Sequence, residues 1–215
     1  MPPPQSSSEE LANRLTHGIA ALLSIAGLVV MVVFASLRGT VWHVVSVSIY
    51  GASLILLFSA STLYHSLSTT RVQARLQVFD HASIFILIAG TYTPFMLGPL
   101  RGAWGWSLFG VVWGLALVGV IAKLFLTGRF QRLSTVIYLL MGWICVIAVK
   151  PMLSTIPAWG LGWLLAGGLF YSLGVIFYLG HRIPWNHAIW HLFVMAGSLC
   201  HFVSVLFFVI PPLEA

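Results

Sequence analysis

Seven long apolar runs fill most of the sequence and leave little room for charge. Asp, Glu, Lys and Arg make up 7% of the 215 residues, whereas a soluble domain carries about 25%. So few charges cannot cover a surface exposed to water, so lipid has to be the main solvent. The runs are apolar on every side, which favours membrane-spanning helices over barrel strands. The predicted spans are 18–36, 44–65, 80–98, 105–126, 134–150, 159–180 and 187–210.

The basic residues predict the direction of this bundle. Cytoplasmic loops are enriched in Lys and Arg, and a cytoplasmic N-terminus places the larger group of them inside. The inner group is Arg14, Arg71, Arg75, Lys123, Arg129, Arg132 and Arg182, and the outer group is Arg38, Arg101 and Lys150. The predicted fold is all-α, a polytopic seven-helix bundle with the N-terminus cytoplasmic and the C-terminus outside. A single membrane domain is expected over 11–210, between a mobile tail at 1–10 and a short tail at 211–215. The fifth span is short, and merging it with a neighbouring span is the alternative topology.

Three span ends carry polar residues with helical spacing. His187 and His191 open the seventh span, and two imidazoles four residues apart on one helix face can chelate one metal ion. Ser61 and His65 have the same spacing at the end of the second span. Asp80, the only interior carboxylate, opens the third span, where the helix dipole favours an acid. Each pattern alone also fits a plainer explanation, such as interfacial histidines or a serine bonded to its own helix.

The predicted topology brings these span ends together. With the N-terminus inside, the second span ends and the third and seventh spans begin on the cytoplasmic side, so their polar residues share one depth. Three neutral imidazoles, from His65, His187 and His191, suit Zn2+ and leave a fourth position for water. Asp80 is then expected to bind the metal, hold its water or orient an imidazole. Ser61 is expected to bond that water or a substrate oxygen.

The first helix adds a second set of polar residues on one face. Glu10, Asn13 and His17 follow a spacing of three and four residues, and we expect Asn13 and His17 to be polar contacts at the inner mouth. Ser7 and Glu10 also match a capping box, which is the alternative role for Glu10. His201 lies about 15 Å beyond His191 at helical rise. That is too far for the same ion, so His201 is expected to make a buried hydrogen bond or line a cavity.

Taken together, these motifs resemble the bacterial hemolysin III family of the progestin and adipoQ receptor superfamily. The chain is especially similar to the enterobacterial type associated with membrane energetics. The resemblance runs from about Glu10 to Val209 and rests on Glu10-x-x-Asn13-x-x-x-His17, Ser61-x-x-x-His65, Phe79-Asp80-His81 with Ile88–Phe95, and Asn186-His187-x-x-x-His191.

The resemblance implies zinc near the cytoplasmic face of a seven-helix bundle, held by His65, His187 and His191. It places Asp80 and Ser61 beside the zinc-bound water. The loop before Asp80 is shorter than in the adiponectin receptors, and their long N-terminal region is missing. A receptor role for a protein hormone is therefore not expected.

Three functions are compatible with this sequence. The first is a zinc-dependent intramembrane hydrolase acting on a lipid amide, which the superfamily's similarity to ceramidases suggests. The second is a non-enzymatic regulator of membrane lipid homeostasis or energetics with structural zinc. The third is a cytolytic protein, although no amphipathic inserting segment is visible. The expected partner is membrane lipid, with a lipid or fatty-acyl substrate in the bundle. No nucleic-acid partner is expected, because the basic residues are scattered. The resemblance implies a location in the bacterial inner membrane.

Overall fold

The protein is a bundle of helices. The computed structural model describes residues 6–67, 70–126, 130–180 and 182–212. Arg129 and the outermost parts of the two predicted tails, 1–5 and 213–215, lie outside these described residues. The helices are α1 (Ser7–Arg38), α2 (Val41–Tyr64), α3 (Thr70–Leu97), α4 (Ala103–Leu126), α5 (Gln131–Gly142), α6 (Val149–Thr155), α7 (Ala158–Leu179) and α8 (Asn186–Phe208). A short 3₁₀ turn, Ile144–Ala148, joins α5 to α6.

The predicted class, an all-helical polytopic membrane protein, is confirmed. Among the described residues, six helical segments are long and apolar enough to cross a membrane: Ser7–Arg38, Val41–Tyr64, Ala103–Phe125, Gln131–Thr155, Ala158–Leu179 and Asn186–Phe208. The remaining long helix, α3, packs between α2 and α4. Its apolar run is interrupted by Asp80, Thr91 and Thr93, which are all buried. The polar side chains of α3 therefore lie in the interior of the bundle. The direction of the bundle across the membrane stays a prediction.

The order of the helices brings the first against the last. α1 packs against both α2 and α8, α7 packs along α8, and α3 joins α2 to α4. The α5 helix is held more loosely between α3 and α7. The end of α2 and the starts of α3 and α8 therefore surround the same region, next to the start of α1.

The start of α1 corrects one sequence prediction. The capping box is formed by Ser6 and Glu9, one residue earlier than the predicted pair Ser7 and Glu10. The Glu9 carboxylate accepts from the Ser6 N–H at 2.8 Å and from the Trp185 N–H at 3.0 Å. These bonds tie the start of α1 to the residue just before α8. Glu10 is thereby free of the capping role and turns toward the bundle.

The fifth span is separate from its neighbours, as predicted, but it is not one continuous helix. It is broken after Gly142, and the Tyr92 hydroxyl of α3 sits at the break. That hydroxyl donates to the Gly142 carbonyl at 2.6 Å and accepts from the Cys145 N–H at 3.0 Å. Non-helical backbone at membrane depth needs such partners inside the protein, because lipid offers none.

Candidate metal centre

Three imidazoles meet where α2 ends and α8 begins. His65 is the residue that caps the C-terminus of α2, and His187 and His191 lie on the first turns of α8. One ring nitrogen from each lies within 4.8 Å of the other two. The Nε2 atoms of His65 and His187 are 3.2 Å apart. His65 and His191 are buried, with 8% and 1% of their surfaces exposed, so this cluster is shielded from bulk water.

Local structure at the start of α8 places two of these rings. Trp185 precedes the helix in the left-handed backbone region, with φ of 59°, so the chain turns sharply into α8. The Asn186 side chain then donates to the Phe177 carbonyl near the end of α7 at 3.0 Å. That bond fixes the first residue of α8 against α7, and the helical spacing directs both His187 and His191 toward α2.

The first helix contacts two of the three rings, those of His65 and His191, on the side away from the cluster. The His65 Nδ1 lies 2.7 Å from the Glu10 carboxylate. The His191 Nδ1 lies 3.3 Å from the Asn13 carbonyl and 3.2 Å from the Thr16 hydroxyl. Carbonyl oxygens and ionised carboxylates only accept hydrogen bonds, so Nδ1 carries the proton in both rings. Nε2 is left with its lone pair free to bind a metal ion.

These observations are compatible with a metal ion held by the three imidazoles. With Zn–N bonds of about 2.0–2.1 Å, two ligands of a tetrahedral site lie about 3.3 Å apart, close to the separation of the His65 and His187 Nε2 atoms. The ligand set is neutral nitrogen from three histidines, which zinc accepts readily. A carboxylate bonded to the far nitrogen of a ligating imidazole is the usual support of such a site.

The two predicted catalytic residues lie beside the cluster. Asp80 and Ser61 are buried, with 8% and 1% of their surfaces exposed. Both line a cavity of about 130 Å³ that His187 and His191 also line. The remainder of the cavity wall is largely apolar, with Leu57, Ile84, Leu87, Ile88 and Val194 among its residues.

The secondary polar residues fall into two positions. His17 stacks face to face on His191, with ring centroids 3.4 Å apart and planes 11° from parallel. Asn13 is fully buried next to it. His201 is away from the triad, and its Nε2 donates to the Leu164 carbonyl at 3.1 Å. His17 therefore packs against a candidate ligand, whereas His201 belongs to the deeper part of the cavity.

One residue that contacts the histidine cluster, Thr16, was not predicted from the sequence. The Thr16 hydroxyl donates to the Ala12 carbonyl at 2.8 Å, so it can accept from the His191 Nδ1–H. The spacing gives some indication of this contact, because Thr16 lies three residues after Asn13, on the same face of α1. A threonine in a helix is so often bonded only to its own backbone that its position alone indicates nothing more.

Replacing Glu10 by Gln is expected to weaken zinc binding about 10–100-fold, because the substitution removes the charge that orients His65 and raises its basicity. Glu9→Gln is the matched control, since the neighbouring Glu9 bonds Ser6 and Trp185 and no imidazole. The measurement is a competition titration of each purified variant with a zinc-binding indicator. Equal zinc affinities for Glu10→Gln and Glu9→Gln would show that the contact with His65 does not support metal binding.

Comparison with known proteins gives a consistent result. A sequence model described as "Haemolysin-III related" matches residues 5–202. The chain is 47% identical to "Hemolysin-3" of Bacillus cereus over 207 residues, which cover 96% of this chain and 94% of that protein. It is 48% identical to "Hemolysin-3 homolog" of Bacillus subtilis (strain 168) over 200 residues, covering 93% and 94%. It is 31% identical to "Monocyte to macrophage differentiation factor" of Homo sapiens over 207 residues, covering 92% and 83%.

Proposed function

Because this chain belongs to the haemolysin-III related family, we propose that it is a zinc-dependent hydrolase of lipid amides in the bacterial inner membrane. One observation carries the proposal: of three histidines that could hold a metal ion, His187 and His191 line a mainly apolar cavity, and a buried acid and a buried hydroxyl line the same cavity. Such an activity would influence membrane lipid homeostasis and, through it, membrane energetics.

Each residue has a role that its position supports. A zinc ion held by His65, His187 and His191 would lower the pKa of water and polarise a carbonyl oxygen. Asp80 faces the same cavity and serves as the general base, or orients the attacking water. Ser61, beside it, donates a hydrogen bond to the oxygen that gains charge at the scissile carbonyl. The apolar wall binds the acyl chain of the lipid and excludes bulk water.

A second function is supported by a different observation. The three imidazoles and their hydrogen bonds join α1, α2 and α8, so a metal ion there would clamp the first helix to the last. A clamp of this kind needs neither an open coordination position nor Asp80 and Ser61. In that case the protein regulates membrane homeostasis without turning over a substrate.

The proposal is tested by reconstituting the purified protein in liposomes that contain an N-acyl sphingoid lipid. We expect release of free fatty acid that stops when a chelator removes the metal and returns when stoichiometric zinc is added. The reason is that the metal both activates the water and polarises the amide. Fatty acid is quantified by mass spectrometry.

Two results would contradict this proposal. Hydrolysis that continues in the metal-free protein would mean that the histidine cluster is not part of the reaction. No fatty acid release from any N-acyl lipid by the zinc-loaded protein would favour the structural clamp.

A further inference from the structure

The cavity beside the histidines adjoins a second cavity, which none of the three histidines lines. The second one has a volume of about 260 Å³ and a mainly apolar wall that includes Phe95, Met96, Leu100, Leu108 and Leu161. We call the cavity at the histidines the inner cavity. We call the second one the outer cavity. Six residues line both: Thr91, Tyr92, Gly142, Trp143, Gly168 and His201. These six residues form a collar at which the two cavities meet.

The collar is held by hydrogen bonds within the protein. The Trp143 indole N–H donates to the Ser172 hydroxyl at 3.0 Å, and that hydroxyl donates to the Gly168 carbonyl at 2.7 Å. The Tyr92 hydroxyl bonds the broken backbone of the fifth span at Gly142. The Tyr92 and Trp143 side chains of the collar are thereby fixed in position between the two cavities.

Gly168 lies where a side chain would narrow the collar. A Cβ atom placed there would be 3.6 Å from the Cη2 and Cζ2 atoms of the Trp143 ring. This is ordinary van der Waals contact, so the backbone at this position accepts a side chain without strain. A longer side chain would fill the space between α7 and the Trp143 ring.

The distance from the histidines to the collar corresponds to a particular acyl length. His201 of the collar is ten residues beyond His191 on α8, which is about 15 Å along the helix axis. An extended hydrocarbon chain with C–C bonds of about 1.5 Å advances about 1.3 Å per carbon. A chain anchored at the histidines therefore reaches the collar after about 12 carbons.

We propose that the collar makes the protein selective for acyl length. A chain of up to about 12 carbons occupies the inner cavity alone, and a longer chain passes the collar and packs in the outer cavity. This rests on the proposed function, since it takes the ligand to be a fatty-acyl lipid with its polar end at the histidines. Each methylene buried in the outer cavity strengthens binding by at most about fourfold.

The test is a binding measurement with saturated fatty acids of 10 and 18 carbons, on protein in nanodiscs. Gly168→Leu is expected to weaken binding of the 18-carbon acid at least tenfold relative to the natural protein, and to change binding of the 10-carbon acid less than twofold. Gly162→Leu is the matched control on the same helix, because a Cβ at Gly162 meets nothing within 4 Å and the residue is exposed. It should bind both acids as the natural protein does.

A second variant keeps the test decisive if the leucine disturbs the bundle. Adding Trp143→Ala to Gly168→Leu makes room for the new side chain and is expected to restore binding of the 18-carbon acid. Unchanged binding of that acid by Gly168→Leu would overturn the collar proposal, and so would an equal loss for both lengths without rescue. Neither result affects the proposed hydrolysis. Binding of neither acid by the natural protein would overturn the collar and the lipid substrate together.

Discussion

Replacing His187 and His191 together by alanine is expected to abolish metal binding, from about one zinc ion per chain to none. The double variant keeps only the imidazole of His65, and one nitrogen ligand cannot hold zinc against water. The measurement is metal content by mass spectrometry on detergent-purified protein, prepared without chelator at any step. A loss confined to this variant would establish the cluster as a metal site.

The control for this experiment is His43→Ala. His43 is on α2, like His65, but at the opposite end of the helix, where its Nδ1 accepts from the Thr40 N–H at 3.0 Å. It should retain all of the metal. Two results would contradict the proposed metal site: no metal in the natural protein, or zinc retained by the double variant. The histidines would then be polar contacts, and proton-linked transport would become the better hypothesis.

Replacing Asp80 by Asn and Ser61 by Ala is expected to lower hydrolysis about 10²–10⁴-fold while zinc content stays unchanged. A positioned general base contributes a factor of this size, and Asn keeps the shape of Asp80 without its ability to take a proton. The rate of fatty acid release and the metal content are measured on the same preparation, because only the combination separates chemistry from metal binding.

Ser204→Ala is the control for losing a buried hydroxyl. Ser204 is fully buried on α8 and donates to the Gly160 carbonyl at 2.8 Å, away from the histidines. Its substitution should affect stability and not the hydrolytic rate of the folded protein. If the Asp80→Asn and Ser61→Ala variant keeps full function along with its zinc, the metal is a structural clamp and the hydrolase proposal fails.

The histidine cluster could be predicted from the sequence because two simple regularities coincide there. Helical spacing places His187 and His191 on one face. The alternation of spans across a bilayer then brings the start of that helix to the depth of His65 and Asp80. Neither argument needs to know how the helices pack. The same regularities placed His201 too far along α8 to join the triad, and it lies in the collar instead.

Other features depend on packing that spacing does not reveal. Ser6 and Ser7 are followed three residues later by Glu9 and Glu10 respectively, so the pattern of a capping box fits both pairs equally. The choice of Ser6 with Glu9 goes together with the bond from Glu9 to Trp185, which is 176 residues away. The break in the fifth span likewise depends on the hydroxyl of Tyr92, on another helix. No local rule links such distant residues.

The joining of the first helix to the last has a consequence for biosynthesis. The ribosome produces Glu10, Asn13 and His65 early, but His187 and His191 emerge only after α1 to α7. A chain that stops before α8 offers one of the three imidazoles, and it lacks the partner that α1 packs against. A metal ion that needs all three imidazoles would therefore bind only after α8 has been made, and products truncated before α8 would lack two of its three ligands.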